Sequence, residues 1–257
     1  MEKSNFTRQF EDFGIKMYVL AILSIISIFT GGIIQLVMFI IMLLSLRDIK
    51  EANLELGNEK LEKFRKYIIY AVIVGIVGAL IIIVIGVIVG FLFISALPGF
   101  TISDPITVSE FQEIAPLIRI LLVVLLAGGL PVGAIALGLL MIAWKEFQMF
   151  LESNSGLFPN TVAPKAIEGA GKIRKSYLYL LISLIIGAII VTIAIFVFPQ
   201  IEELVIHIIE ETHASDELLG GTIAVFVVPV IAIAILGITS FILMIIGYFR
   251  LSELKHL

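Results

Sequence analysis

Five long apolar tracts, none of which contains a charged residue, constrain the fold of this chain more than any other feature. About 20 helical residues span a hydrocarbon core of about 30 Å, and lipid offers no hydrogen-bond partner to an unpaired backbone. Each tract is too long for a barrel strand and is therefore predicted to be a helix. The tracts are Met17–Leu46, Tyr67–Leu97, Ile120–Trp144, Tyr177–Pro199 and Thr222–Phe249.

Composition supports a membrane protein and removes several kinds of chemistry. Of the 257 residues, 60% are hydrophobic and 15% are charged, and the mean hydropathy is +1.15. These values do not fit a soluble domain. The chain has no cysteine, which excludes disulfides, thiol catalysis and thiolate metal sites. We predict an all-α, polytopic transmembrane helix bundle.

Lysine and arginine are concentrated in some connections and missing from others. The N-terminus, the segment from Arg47 to Lys66, the loop after Trp144 and the C-terminal tail carry them, whereas 98–118 and 200–221 carry none. Basic residues in short loops mark the cytoplasmic side. The pattern predicts a multi-pass protein of the cell membrane with both termini in the cytoplasm. Five single spans would separate the basic N-terminus from the next basic loop, so one tract must cross twice.

The first tract is the candidate for the double crossing. From Ile15 to Leu46 it would be about 48 Å long as one helix, well beyond the bilayer. Thr30, Gly31 and Gly32 lie at its midpoint, and Gly-Gly suits a tight turn. We predict six spans, the first two forming a short N-terminal helical hairpin. The alternative is one long tilted helix with the N-terminus outside.

The residues before the first tract show helical spacing. Phe6, Phe10, Phe13 and Met17 recur every three or four positions. This pattern predicts either an amphipathic helix at the membrane surface or a plain extension of the first span.

A second break, Gly128-Gly129-Leu130-Pro131, lies inside the third tract. A double crossing there would export the basic loop that follows Trp144. Proline removes one helical hydrogen bond, and neighbouring glycine lets the freed backbone adjust. We therefore predict a bend within a single span.

The two internal basic loops contain similar features in the same order. In the first loop, one helix is expected to stop near Gly57 and the next to begin with Asn58 as its N-cap. In the second loop, the helix is expected to break at Ser155 and Gly156 and the next to begin near Pro164. Both loops re-enter the membrane through cations beside a tyrosine, KFRKY at 63–67 and KIRKSY at 172–177. Such segments suit the headgroup level, as orientation anchors.

The chain is read as a single transmembrane domain, 1–257. A parallel pseudo-repeat of 33–97 and 120–199 would explain the similar loops, but aliphatic composition alone would also make the spans alike. Between the spans, Ser109 and Gln112 fit a capping box and predict a short helix from Asp104 to Pro116. The stretch Ile201–Leu219 is predicted to be helical, either continuing the previous span or lying along the membrane.

Small residues follow one face of the Tyr67–Leu97 tract. Such faces let helix backbones approach closely in lipid, where van der Waals contact drives association. We predict that this face packs against another helix of the same chain, with a seam between copies as the alternative. Its members are Ala71, Gly75, Ala79, Gly86 and Gly90.

Ionisable side chains are almost absent from the tracts, which argues against an ion-coupled transporter, a voltage sensor and an intramembrane protease. Two candidate polar contacts remain. Gln35 is expected to cross-link helices rather than to bind substrate. Arg119, the only cation on the predicted outer side, could hold an anionic headgroup or solute, or its side chain could simply extend to the interface.

One further pattern has the residue types of a cation site. Glu203, His207, Glu210 and Glu211 fall roughly on one side of a helix, with His213 nearby, and such residues can hold a divalent cation. The signal is weak, and an acidic outer helix with incidental histidines is the preferred interpretation. No metal site, catalytic residue or cofactor is predicted.

Long aliphatic spans alternate with short charged breaks, as in SLRDIKEANLELGNEKLEKFRKY at 45–67 and IIGYFRLSEL at 245–254. In this the chain resembles a family of uncharacterised multi-span membrane proteins of archaea and some bacteria, known as a domain of unknown function. The resemblance covers most of the chain and implies a helical membrane protein. It brings no established activity.

These observations favour a non-enzymatic integral membrane protein, either a scaffold or a subunit of a membrane complex. The alternative is a transporter or permease subunit for an apolar or small solute, and a membrane-bound enzyme comes third. The expected partners are membrane lipids and other membrane or cytoplasmic proteins, not nucleic acid, and an oligomer is compatible with the sequence.

Overall fold

The computed structural model describes residues 4–30, 32–96, 107–209 and 216–257. Within these ranges all regular structure is helical, as expected where the backbone must satisfy its own hydrogen bonds in lipid. The α-helices are α1 (Asn5–Thr30), α2 (Gly32–Leu56), α3 (Glu59–Ala96), α4 (Val108–Val124), α5 (Leu130–Ser153), α6 (Ala163–Phe196), α7 (Phe198–Ile209) and α8 (Asp216–Leu251).

In the described part of the chain, six helical stretches are long and apolar enough to cross a membrane, which confirms the predicted polytopic bundle. Four coincide with α1, α2, α3 and α6, to within one residue. The fifth joins α4 and α5 into one stretch, and the sixth lies in the last helix and the turn after it. They are Asn5–Thr30, Gly32–Leu56, Glu59–Ser95, Val108–Ser153, Ala163–Phe196 and Val227–His256.

The predicted N-terminal hairpin is present, because α1 and α2 run antiparallel. The Lys16 ammonium lies 2.5 Å from the Asp48 carboxylate, and the Phe6 N–H donates to Glu55 Oε2 at 3.0 Å. Pairing of a later α1 residue with an earlier α2 residue defines the antiparallel order. The Glu55 carboxylate also satisfies one of the free N–H groups at the start of α1.

The break at Gly128 to Pro131 is a π-turn within continuous helix, so the prediction of a single span is confirmed. The π-turn covers Leu125–Gly129, and the Leu130 N–H donates to the Leu125 carbonyl. Pro131 cannot donate a backbone hydrogen bond and would crowd the preceding turn of a regular helix. The wider π-turn accommodates this change in hydrogen bonding.

The capping box at the start of α4 differs from the predicted one. Thr107, not Ser109, is the N-cap of α4: its N–H donates to Glu110 Oε2 at 2.8 Å, and its hydroxyl accepts from the Glu110 N–H. The predicted short helix ending at Pro116 is also wrong, since α4 continues through that proline. Residues 104–106 of the predicted segment lie outside the described residues.

The stretch predicted as helical from Ile201 is partly described. A break at Val197 separates α6 from α7, and α7 lies against α4 in the second of the two units defined below. The helix is therefore a separate packed element, not a direct continuation of α6. Residues 210–215 of the predicted stretch lie outside the described residues.

The contacts divide the chain into two compact units. The first unit comprises Met1–Val72, Ala136–Leu181 and Leu236–Leu257, and the second comprises Ile73–Ile135 and Ile182–Ile235. The boundaries between the two units fall inside helices and not in the connections between them. The single transmembrane domain and the pseudo-repeat both stay predictions.

The first unit has a large aromatic core. Phe147 contacts four other rings, those of Phe13, Phe64, Trp144 and Phe150, with centroid distances from 4.7 to 6.3 Å. All five side chains are fully buried. Aromatic pairs at these distances stabilise a core beyond the area that they bury.

Phe10 belongs to the same core, and its position distinguishes the two interpretations of the N-terminal phenylalanines. Its ring stacks on Phe150 at 5.7 Å and meets Phe158 edge-on at 5.3 Å. The N-terminal residues are therefore an extension of the first helix, as the second sequence interpretation predicts, and their apolar face is buried inside the protein.

The second unit packs through small contacts between long aliphatic helices. A Cβ at Gly78 of α3 would lie 2.2 Å from Val132 Cγ1 of α5, and one at Gly133 would lie 2.8 Å from Leu184 Cδ1 of α6. Many aliphatic side chains around these contacts are exposed, including Val87 and Ile83. Such a surface is stable against lipid acyl chains and not against water.

Candidate functional site

The connection between α2 and α3 is a short turn with defined caps. Gly57 has φ of +56°, a left-handed conformation that glycine adopts without steric cost. Asn58 Oδ1 accepts a hydrogen bond from the Lys60 N–H at 3.0 Å, as an N-cap does. The predicted stop at Gly57 and restart at Asn58 are confirmed, and they hold the helix ends rigidly at this loop.

Lys60 connects this loop to the end of α5. Its ammonium donates to the Met149 carbonyl at 3.1 Å and to the Ser153 hydroxyl. A cation is favoured there because the last carbonyls of a helix have no partner within the helix. Beyond Ser153 the chain forms a 3₁₀ turn, Ser155–Leu157, and α6 begins at Ala163, so the predicted second break is also confirmed.

The lysines of the re-entry segments are paired within their own helices. Lys63 lies 2.7 Å from Glu59, Lys66 lies 2.6 Å from Glu62, and Lys172 lies 3.1 Å from Glu168. These exposed i,i+4 pairs add little stability. They do reduce the free positive charge of each segment. The anchoring role therefore stays a prediction, with Arg65, Arg174 and Lys175 as the cations of these segments that form no ion pair in the described residues.

A groove of about 240 Å³ lies between α2 and α3 in the first unit. Leu54 on its rim is 77% exposed, which is unusual on a helix segment that also carries many charges. Arg65 Nε is buried in the structure without a hydrogen-bond partner. The exposed leucine and the unpartnered guanidinium nitrogen, which needs an explanation, make this groove a candidate docking surface. We call this the α2–α3 groove; its lining is Ile49, Lys50, Asn53, Leu54, Leu61, Glu62 and Arg65.

Neither predicted polar contact lies in this groove. Gln35 is on the exposed surface of α2 and makes no hydrogen bond within the described residues. Its predicted role of cross-linking helices is thus not seen in the single chain. Arg119 is exposed on α4 and lines a cavity of the second unit together with Glu202.

The predicted small-residue face is mostly open. Ala71 is buried, but Gly75, Ala79 and Gly86 are exposed. A Cβ at Gly75, Gly86 or Gly90 would meet no atom of the described residues within 4 Å. The prediction that this face packs within the chain is therefore wrong for those glycines in the part of the chain that the structure describes. Helix α3 instead presents Gly78 to α5, which rotates the packed face by roughly one residue position.

Two glycines that the sequence analysis did not select make a close contact between α6 and α8 in the first unit. A Cβ at Gly169 of α6 would lie 2.8 Å from the Gly247 carbonyl oxygen and 2.8 Å from the Leu251 nitrogen of α8. Two turns of α6 beyond this contact, the Ser176 and Ser240 hydroxyls form a buried hydrogen bond of 2.8 Å. The available signal was a glycine in the interior of each helix, where that residue is intrinsically unfavourable.

The acidic and histidine pattern is only partly described. Glu203 is exposed, whereas Glu210, Glu211 and His213, and the side chain of His207, lie outside the described residues. No group of three metal-ligating side chains occurs in the described part of the chain.

Comparison with models of known families, with curated proteins and with solved structures found no match. The resemblance to an uncharacterised membrane family therefore stays a prediction. Function has to be argued from the groove, the core and the cavities alone.

Proposed function

We propose that this chain is a non-enzymatic integral membrane protein that acts as a scaffold or as a subunit of a membrane complex. The α2–α3 groove of the first unit docks the partner. The observation that carries the proposal is the 77% exposure of Leu54 beside Arg65. Charged residues surround both positions, so this end of the hairpin lies beyond the lipid, where an exposed leucine gains from burial against protein.

The core beneath the groove supports the same function. The groove residues Leu61 and Ile49 are almost fully buried and continue into the aromatic core. Lys60, next to the groove, is held by the end of α5. Because the core and the Lys60 contact already hold the groove residues in place, the groove loses little conformational entropy when a partner binds, which favours specific docking.

A transporter for an apolar solute is the second candidate. A cavity of about 420 Å³ in the second unit is lined by α5 and α6 residues together with the π-turn residue Leu126, and Thr192 is its hydroxyl residue. That hydroxyl already donates to the Ala188 carbonyl at 2.8 Å. Two other polar residues of the spans are not part of this cavity: the Ser240 hydroxyl is hydrogen-bonded to Ser176, and Gln35 is exposed. This arrangement supports an apolar solute over a polar one and is weaker support than the groove.

The docking function requires the first unit to face the cytoplasm, which we propose from the basic loops. A cysteine at Ser4 should then be unreactive with an impermeant thiol reagent in intact cells and should react after lysis. A cysteine at Ser109, on the opposite side in the six-span arrangement, should react without lysis. The native chain has no cysteine, so each signal has one source. Reaction of the Ser4 variant from outside would refute the orientation, and reaction of both variants without lysis would also refute the double crossing.

The docking role itself predicts a smaller complex when the groove is altered. Membranes expressing the full chain, solubilised in mild detergent, should show it in a native gel at a mass larger than its own. Leu54→Glu should reduce the slow-migrating fraction at least about tenfold, since a central anchor contributes about 2 kcal/mol or more. Because Leu54 is exposed, the fold should be unaffected.

Leu157→Glu is the matched control for this experiment. Leu157 is also an exposed leucine of the first unit, at 44%, but it does not line the groove. Its variant should migrate as the unmodified chain does. Equal loss in both variants, or a wild-type chain that migrates at its own mass, would contradict the scaffold proposal. Uptake of an apolar solute by vesicles that contain this chain would then favour the transporter.

A further inference from the structure

A cavity of the second unit combines apolar walls with two opposite charges. It has a volume of about 420 Å³ and lies between α4 and the first turn of α7. The α4 residues recur at positions i, i+3, i+4, i+7 and i+8, so they form one continuous stripe of the helix. The lining residues are Pro116, Arg119, Ile120, Val123, Val124, Phe198, Pro199 and Glu202.

The apolar part of the cavity is accessible to lipid. Ile120 and Val123 are about half exposed, whereas Phe198 is 6% exposed. Ile120 begins the uncharged tract that continues to Trp144. Arg119 therefore lies at the boundary between apolar tract and polar connection, which is the level of lipid headgroups. Acyl chains that line this stripe would place their own headgroup beside the cavity.

The two charges of the cavity are not used within the protein. Arg119 and Glu202 make no ion pair with each other or with another residue in the part of the chain that the structure describes. Guanidinium binds phosphate through paired N–H donors, and a carboxylate accepts hydrogen bonds from an ammonium.

We propose that this cavity binds a phospholipid whose headgroup carries both a phosphate and a primary amine, as phosphatidylethanolamine does. Arg119 binds the phosphate, Glu202 accepts from the ammonium, and the acyl chain lies along Ile120, Val123 and Phe198. The assignment rests on charge complementarity and on the position of Arg119 at the membrane boundary. It is independent of the docking proposal, which concerns the first unit.

The carboxylate is what selects the headgroup. A phosphatidylglycerol headgroup offers Arg119 a phosphate but presents no cation to Glu202, so the carboxylate is left unpaired and close to a like charge. A phosphatidylcholine headgroup has a cation, but its quaternary nitrogen has no N–H to donate. A bare arginine at the interface would instead favour the most anionic lipid. The order of affinities therefore separates the proposed site from an interfacial arginine.

Lipid titration of the delipidated full chain, followed by native mass spectrometry, tests the proposal. Phosphatidylethanolamine should bind more tightly than phosphatidylcholine or phosphatidylglycerol with the same acyl chains. Glu202→Gln should remove the preference for phosphatidylethanolamine over phosphatidylglycerol, a change of about tenfold, since a hydrogen bond to a charged group contributes about 1.5–3 kcal/mol. Arg119→Gln should weaken all three phospholipids about tenfold for the same reason.

Glu203→Gln is the matched control, because Glu203 is the exposed neighbour of Glu202 and does not line the cavity. It should bind as the unmodified chain does, and all variants should keep its melting temperature. Stronger binding of phosphatidylglycerol than of phosphatidylethanolamine by the unmodified chain would overturn the proposal. Equal binding of soluble glycerophosphoethanolamine would also overturn it. So would the finding that the chain forms a dimer which Glu202→Gln dissociates, while lipid binding by that variant is unchanged.

Discussion

Replacing Gly169 with alanine should destabilise the protein, although the same change in an exposed helix is stabilising. Alanine is favoured over glycine in a helix interior by about 0.5–1 kcal/mol. At Gly169, however, the new Cβ would lie 2.8 Å from two backbone atoms of α8, the Gly247 oxygen and the Leu251 nitrogen. Backbone cannot move aside as a side chain can, and overpacking of this kind costs about 1–3 kcal/mol or more. Gly169→Leu should lose still more.

Thermal unfolding in detergent measures this prediction, with Gly75 as the matched control. Gly75 is also a helix-interior glycine of a candidate span, but a Cβ there meets no described atom within 4 Å. Gly75→Ala should therefore leave the melting temperature unchanged or raise it, and Gly75→Leu should be tolerated in the single chain. If Gly75→Leu lowered it as much as Gly169→Leu, the exposed face of α3 would be a seam between copies.

The helices and their ends could be predicted because the signals for them are local. An uncharged tract sets each span, Gly57 and Asn58 set one helix boundary, and Pro131 marks the irregular turn. Each signal depends on residues within one or two turns of the feature that it determines. Where two possible capping boxes lay close together, the wrong one was predicted. Thr107 and Glu110 form the capping box, two residues before the predicted pair.

The faces that pack together could not be predicted, because the rotation of a helix about its axis depends on its neighbours. Gly75 and Gly78 lie on the same helix, and only the position of Val132 makes Gly78 the packed one. Regular spacing of small residues therefore did not identify the packed faces. The close approach of Gly169 to Gly247 joins two helices, and no spacing within one helix reveals it. Arg119 was found from its isolation in sequence, whereas Glu202 was missed because its proximity arises from the packing of α7 on α4.

The aromatic core was missed for the same reason, and it gives the other large expected effect. Its rings come from α1, α3 and α5, which are separated by dozens of residues, so no periodicity brings them together in the sequence. Each phenylalanine, taken alone, fits a membrane surface as well as a protein interior. Burial of the whole cluster shows that the first unit is stabilised by packing of aromatic rings.

Phe147→Ala should therefore lower the free energy of unfolding by about 3–5 kcal/mol, because it removes a ring that contacts four others and leaves a cavity. Fluorescence of Trp144, the only tryptophan of the chain, measures the effect directly, since the two rings are 5.9 Å apart. Phe147→Leu should lose less, since it fills part of the space. Phe91→Ala removes a ring that is 69% exposed and should change stability by no more than about 0.5 kcal/mol. Similar unfolding of the Phe147→Ala and Phe91→Ala variants would show that the aromatic cluster does not stabilise the first unit.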